Sequence, residues 1–177
     1  MEDGQIIGLY LSRDERAIKE TEKKYGRLIT RLKRQLTHPS RYQETELGGL
    51  FADIMRDSLC LDVMLLGSGS VRATELGPIV LLSDLSECFP YDDAIHMLRV
   101  TGAQLKKMIL FMLRDEVWEG SHCEFYQFSE GVRVVYDRAS RVFKEFSFCD
   151  EPVEDDRIYK IGLQHFHFMN LEDFFGI

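Results

Sequence analysis

Apolar and polar positions alternate unevenly along the chain. Residues 4–12, GQIIGLYLS, form a short apolar run that reads as a strand. The sequence then changes abruptly to RDERAIKETEKKYG, with acidic residues early and Lys23 and Lys24 just before Gly26. That arrangement predicts an exposed amphipathic linker helix with Ser12 as its N-cap. GRLITRLKRQL fits a helical face through Leu28, Leu32 and Leu36 and a strand through its Ile-Thr content; strand is preferred. Residues 38–43, which include Pro39, read as a loop.

From Glu44 the pattern is stronger. ETELGGLFADIMRDSL places Leu47, Leu50, Phe51, Ile54, Met55 and Leu59 on one helical stripe. Residues 61–66 predict a buried strand, and GSGSVRATELGP a loop. PIVLLSDLSECFPY gives a short apolar segment, then a helical turn from Ser83 that Pro90 ends. Residues 95–100 read as a strand and TGAQLKKMILFMLRDEV as an amphipathic helix opening on a Thr-Gly turn. Residues 132–136, 142–148 and 159–163 are β-rich and separated by charged turns. Helices and strands mix without strict βαβ alternation, so the fold class is α+β: a mixed β-sheet packed with helices.

Composition narrows the function classes. At 177 residues the chain can bury one core, and 45% hydrophobic with 29% charged residues is ordinary globular usage. A net charge of −8 argues against a nucleic acid polymer as partner, since phosphate backbones are held by clustered Lys and Arg. The longest greasy stretch, residues 59–66, is broken by Asp62, far short of the ~20 apolar residues a membrane helix needs, so no membrane is expected. The start of the sequence lacks the basic head and long apolar run of a secretory signal; a cytoplasmic location is favoured over an extracytoplasmic one. Cys60, Cys88, Cys123 and Cys149 form no C-x-x-C pair and are read as mostly buried thiols.

Four stretches could carry chemistry. GSGSVR, residues 67–72, looks suited to an anion, because small residues let backbone N–H groups approach a ligand and an arginine follows. It is neither a Walker loop nor a dinucleotide fingerprint, and taken alone it is equally a Gly/Ser turn. HFH, residues 165–167, would present both imidazoles on one side if extended, as in some zinc sites, yet no obvious set supplies the remaining ligands; a structural or substrate-side role is favoured. FPYDD and EDFF pair aromatics with carboxylates at chain turns.

The order of the segments is more informative than any one of them. ETELGGLFADIM, LLGSGSVRATELGPIVLLSDLSECFPYDDAIHMLRVTGAQLKKMI, GVRVVYD, YKIGL and NLEDFF together resemble the C-terminal domain of the 5′-nucleotidase and 2′,3′-cyclic phosphodiesterase family of two-domain metallophosphoesterases. The expected family pattern is an E-x-x-L-G-N-L-x-x-D-A helix, an N-G-G-G-I-R loop and a G-x-I-x-x-x-D-L-x-x-x-x-P-F turn. A T-G-x-x-L-K helix, a G-x-x-x-x-Y-D strand and a closing G-G-D-G-[FY] follow. The resemblance covers residues 40–177, a substrate-recognition domain; residues 1–39 correspond to the end of a preceding domain, the linker helix and a first strand.

The resemblance implies a division of labour. Divalent metals in a two-metal centre would sit in an N-terminal metallophosphoesterase domain, whose D-x-H, G-D, G-N-H-E and G-H-x-H motifs are not in this sequence. This segment would hold no metal, no cofactor and no catalytic residue, and alone would be inactive. Its task would be to bind a nucleotide or related phosphoester by stacking the base between two rings and holding phosphate and sugar through arginine and aspartate. The linker helix would lie near the hinge about which the two domains rotate.

By position, Arg72 matches the loop arginine, for phosphate or ribose, and Tyr91 the first stacking ring. Asp173 matches the aspartate for the ribose hydroxyls. Phe166 matches the second ring, or His167 if no residue is inserted before Asp173. Asp93 would face the base. Gln43 stands where some relatives carry an arginine, for which Arg41 could substitute. Departures are clear: Gly67 and Gly49 replace Asn, Ser68 and Ser70 replace Gly, and Leu171, Glu172 and Phe174 replace the closing glycines, which would narrow the pocket. The alternative is a stand-alone binding or interaction domain that keeps the scaffold without nucleotide hydrolysis.

Overall fold

The computed structural model describes residues 1–115 and 124–177. Its centre is a four-stranded sheet built from β3 (Val63–Gly67), β6 (Ile95–Thr101), β7 (Tyr126–Phe128) and β11 (Ile158–Gln164), in the order β6-β11-β3-β7. β11 runs parallel to β3 and antiparallel to β6, and β3 runs antiparallel to β7, so the sheet is mixed. Every residue of β3 is buried. Because successive side chains of a strand leave opposite faces, Val63 and Leu65 enter one hydrophobic cluster while Met64 and Leu66 enter another.

The first cluster lies under α5 (Gly102–Met112) and the C-terminal helices, and takes Leu105, Met108, Ile109, Tyr159 and Phe175. α5 begins where the sequence signals it: Gln104 N–H donates to Thr101 Oγ1 at 3.2 Å, and Thr101 N–H donates to Gln104 Oε1 at 2.8 Å. The second cluster lies under α3 (Glu46–Leu59) and α4 (Leu82–Cys88), through Leu47, Phe51, Ala52 and Cys88. Thr45 caps α3 by accepting from Gly48 N–H at 3.1 Å, and Cys60, in the left-handed region, closes it. Truncating a fully buried side chain between the two clusters, such as Leu65→Ala, costs about 2–5 kcal/mol.

Smaller sheets surround this centre. β8 (Val132–Asp137), β9 (Val142–Phe148) and β10 (Glu151–Pro152) form an antiparallel sheet in the order β10-β9-β8. β1 (Leu28–Arg31) pairs with β5 (Ile79–Leu81), and β2 (Leu36–Thr37) with β4 (Glu75–Leu76), both antiparallel. These two pairs stitch residues 28–37 onto the segment that follows β3. The strand expected in GRLITRLKRQL is thus two short strands, and the GSGSVRATELGP loop contains a 3-10 turn at Ser68–Ser70 and strand β4.

Other expectations are corrected. Residues 4–12 do not form a strand: Asp3–Leu11 is helix α1, with Glu2 N–H donating to Gln5 Oε1 at 3.0 Å. Among the described residues no strand pairs with this apolar run. It packs instead on α2 (Arg16–Tyr25), where Tyr10 Oη meets Thr21 Oγ1 at 3.1 Å and Lys24 pairs with Asp3 at 2.5 Å. Ser12 therefore ends α1 rather than starting α2, and Asp14 takes the Arg16 N–H at 2.9 Å. HFH is not extended: α6 (His165–Met169) turns away as soon as β11 ends, and α7 (Leu171–Phe175) follows. Cys88 is buried, but Cys60 and Cys149 are exposed, so mostly buried thiols is wrong for the described cysteines; Cys123 and the end of the predicted helix at residues 116–117 lie outside the described residues. No helix among the described residues is long and apolar enough to cross a membrane.

Candidate functional site

A cavity of about 580 Å³ opens at the C-terminal end of β3 and β11. Arg41 reaches it from the loop before α3, Gly69, Ser70 and Arg72 from the loop after β3, and Tyr91 and Asp93 from the segment before β6. Glu124 comes from the approach to β7, and residues 164–167, Met169 and Asn170 from the β11–α6 junction. Six residues singled out from the sequence, Arg41, Arg72, Tyr91, Asp93, Phe166 and His167, line this one cavity. Gln43 and Asp173 do not. The Gln43 carbonyl accepts from Gln127 Nε2 at 2.7 Å, and Asp173 lies exposed on α7, beyond the last lining residue, Asn170.

The loop after β3 is held by the strand ends around it. Gly67 N–H donates to Gln164 Oε1 at 3.1 Å, Ser68 N–H to the Phe125 carbonyl at 2.8 Å and Gly69 N–H to Glu124 Oε1 at 2.7 Å. Val71 N–H donates to the Ser68 carbonyl at 3.2 Å and Arg72 N–H to the Cys88 carbonyl at 2.8 Å. Ser70 Oγ adds a bond to Gln164 Oε1 at 3.0 Å. The expectation that this loop offers its backbone N–H groups to a ligand is therefore corrected for Gly67, Ser68, Gly69, Val71 and Arg72, because protein carbonyls and carboxylates already accept from them. What the loop offers is side chain.

Arg72 is exposed, donates from Nη2 to the Tyr91 hydroxyl, and places its guanidinium carbon 5.2 Å from the Tyr91 ring centroid. Among the described residues it has no carboxylate partner. Arg41 differs: Nη2 pairs with Glu124 Oε2 at 2.7 Å. Tyr91 is 41% and Phe166 58% exposed, large values for rings of this size, and both rings border the cavity.

His167 lies beneath them, 4% exposed. Its ring stands edge-on to Tyr126 and Phe174, each with centroids 5.0 Å away, and to Phe166 at 5.5 Å. Burial pushes its pKa down to about 4, so the imidazole is neutral at pH 7. Among the described residues its Nδ1 has no hydrogen-bond partner, and neither does the buried Tyr126 hydroxyl. Gly67 permits this packing: a methyl group there would collide with His167 Cε1 and lie 2.9 Å from Nε2. The glycine at the first loop position and the histidine three residues after β11 are thus one feature.

His165 points elsewhere: its Nδ1 lies 2.9 Å from His96 Nε2, and the His96 ring lies flat on Phe168 with centroids 4.1 Å apart. One imidazole donates and the other accepts. The zinc-like geometry considered for HFH does not form, because a helix sends His165 and His167 to different neighbours. Among the described residues no three His, Cys, Asp or Glu side chains converge as a metal would require.

Sequence reading missed Glu124, Gln164 and Gln127. Gln164 had a signal, as a polar residue ending the apolar run YKIGLQ, and it is 2% exposed with two bonds to the loop. Gln127 is buried and ties Ser68 Oγ, the Gln43 carbonyl and Thr45 N–H together. Glu124 had none; its role depends on Arg41, 83 residues away.

The family described as the 5′-nucleotidase C-terminal domain matches residues 20–176. The chain belongs to that family. A search of the curated proteins finds no match. Among solved structures, the chain is similar to a 5′-nucleotidase precursor from Thermus thermophilus at 17% identity and TM-score 0.65, covering 86% of this chain and 33% of that one. It is similar to the NAD nucleotidase of Haemophilus influenzae at 12% identity and TM-score 0.69, covering 93% and 33%. It is also similar to a Thermus thermophilus sulfate thiohydrolase at 14% identity and TM-score 0.61, covering 90% and 32%. At these identities the likeness is one of fold, and the chain spans about a third of each structure.

Proposed function

We propose that this member of the 5′-nucleotidase C-terminal domain family is the substrate-recognition part of a phosphoric ester hydrolase and binds a nucleotide or related phosphoester in the cavity at the end of β3 and β11. The observation that carries this reading is that Arg72, Tyr91 and Phe166, far apart in sequence, border the same cavity. A guanidinium without a carboxylate partner among the described residues suits a phosphate oxygen, and two exposed rings suit a base. Asp93 supplies an acceptor for hydroxyl or amino groups. In this reading bond cleavage belongs to a partner metallophosphoesterase domain, where divalent metals would activate water for attack on phosphorus. This chain's residues bind and orient.

Calorimetric titration of AMP and adenosine into the wild type and Arg72→Ala tests the proposal. The expected result is that Arg72→Ala weakens AMP by about 1.5–3 kcal/mol, as for a hydrogen bond to a charged group, and leaves adenosine nearly unchanged. Equal AMP affinity in both proteins removes Arg72 from the site. A stand-alone binding domain without hydrolytic partnership is the second reading, favoured by the internal use of the loop N–H groups. It predicts no response of AMP hydrolysis when the chain is joined to a metal-bearing partner domain.

A further inference from the structure

We infer that Glu124 is a built-in counter-anion that occupies Arg41, one of the two arginines bordering the cavity, so that the site meets a ligand's negative charge through Arg72 alone until Glu124 is displaced. The inference rests on the phosphoester reading of the cavity and concerns how strongly the site holds that ligand's charge.

The Glu124 carboxylate is held as a bound anion would be. One oxygen accepts from Arg41 Nη2 and the other from Gly69 N–H, both at 2.7 Å. A guanidinium and a main-chain N–H are the donors that a phosphate or carboxylate group seeks. The Glu124 side chain is 13% exposed and the Arg41 side chain 41%, so the carboxylate is largely out of solvent while the guanidinium stays partly in it. Gly69 makes the arrangement possible: a methyl group there would lie 2.5 Å from Arg41 Nη2 and 3.2 Å from Glu124 Oε1. Arg72 has the opposite setting, with a neutral phenol as its partner.

Among the described residues Arg72 has no carboxylate partner, whereas Arg41 is occupied by Glu124. An anionic ligand therefore meets the Arg72 guanidinium together with repulsion from the carboxylate seated on Arg41. Replacing Glu124 by glutamine keeps an oxygen for Gly69 N–H while removing the negative charge that faces Arg41, which separates the charge effect from loop structure.

The test is calorimetric titration of inorganic pyrophosphate into the wild type, Glu124→Gln and Glu124→Gln/Arg41→Gln at pH 7.5, with unfolding midpoints recorded for each. Glu124→Gln is expected to bind pyrophosphate about tenfold more tightly than the wild type, the equivalent of one freed charge-assisted contact. The double variant is expected to lose that gain. If Glu124→Gln lowers the midpoint sharply, Glu124→Ala repeats the charge removal, with Gly69 N–H then left to water. Unchanged pyrophosphate affinity in the single variants, or a gain that survives loss of Arg41, overturns the inference. Because pyrophosphate has no base or sugar, this outcome is independent of the AMP experiment: AMP responding to Arg72→Ala while pyrophosphate ignores Glu124→Gln leaves the nucleotide reading intact and removes this one.

Discussion

The imidazole of His167 occupies the volume directly above the Cα of Gly67, where any side chain would begin. The Gly67 backbone itself, at φ −57° and ψ 120°, would accept an L-residue, so the constraint comes from the facing ring alone. Gly67→Ala is expected to destabilise the fold by about 1–3 kcal/mol through overpacking. Adding His167→Ala is expected to recover part of that loss, a coupling of at least ~0.5 kcal/mol in a urea-unfolding double-mutant cycle. Additive losses would show that the two positions do not share space.

His167 also predicts a pH dependence. Its folded-state pKa, about 4, lies below the 6.5 of an unperturbed histidine, so the unfolded chain binds the extra proton first. The stabilisation is complete above pH 6.5 and is lost as pH falls toward 4. A depression of this size corresponds to roughly 3 kcal/mol at the lower limit. His38, whose pKa is lowered chiefly by burial, acts in the same direction. Urea unfolding between pH 7 and 4.5 should show a steeper acid loss in the wild type than in His167→Gln; parallel curves would contradict the assignment.

The Tyr91 hydroxyl accepts from Arg72, so Tyr91→Phe removes a bond and keeps a ring. Adenosine affinity should stay within error, while AMP should weaken by about 0.5–1.5 kcal/mol as Arg72 loses its support. Tyr91→Ala should weaken both ligands, by about 1–3 kcal/mol for a lost stacking face. Titration of the two ligands against the two variants separates hydroxyl from ring.

Gln164 accepts from both Gly67 N–H and Ser70 Oγ while almost fully buried. Gln164→Leu keeps the volume and strands those donors, so unfolding measurements should show a loss of about 1–3 kcal/mol. A near-neutral result would mean that water or another acceptor takes over.

Much of the fold could be read from the sequence because local signals agreed with tertiary packing. The apolar stripe of ETELGGLFADIM, the Thr101–Gln104 cap and the apolar runs of β3 and β11 each point to a single structure. GQIIGLYLS shows the opposite case. Its β-rich composition is overridden because its neighbour is α2 and no strand pairs with it among the described residues. At the cavity, Arg72, Tyr91 and Phe166 could be found from motif order, since each stands at a fixed place in a recognisable succession of segments. Glu124 could not be found that way. Its meaning lies in a pairing across 83 positions, and no spacing rule links it to Arg41.

β3 has one more consequence. With a separate apolar cluster on each face, the strand is anchored independently of whatever sequence follows it. The residues that follow Gly67 can change chemistry while their point of departure stays fixed. A scaffold of this kind lets recognition drift on an anchored strand, and grafting alternative exit loops after Gly67 is the direct way to re-specify what the chain captures.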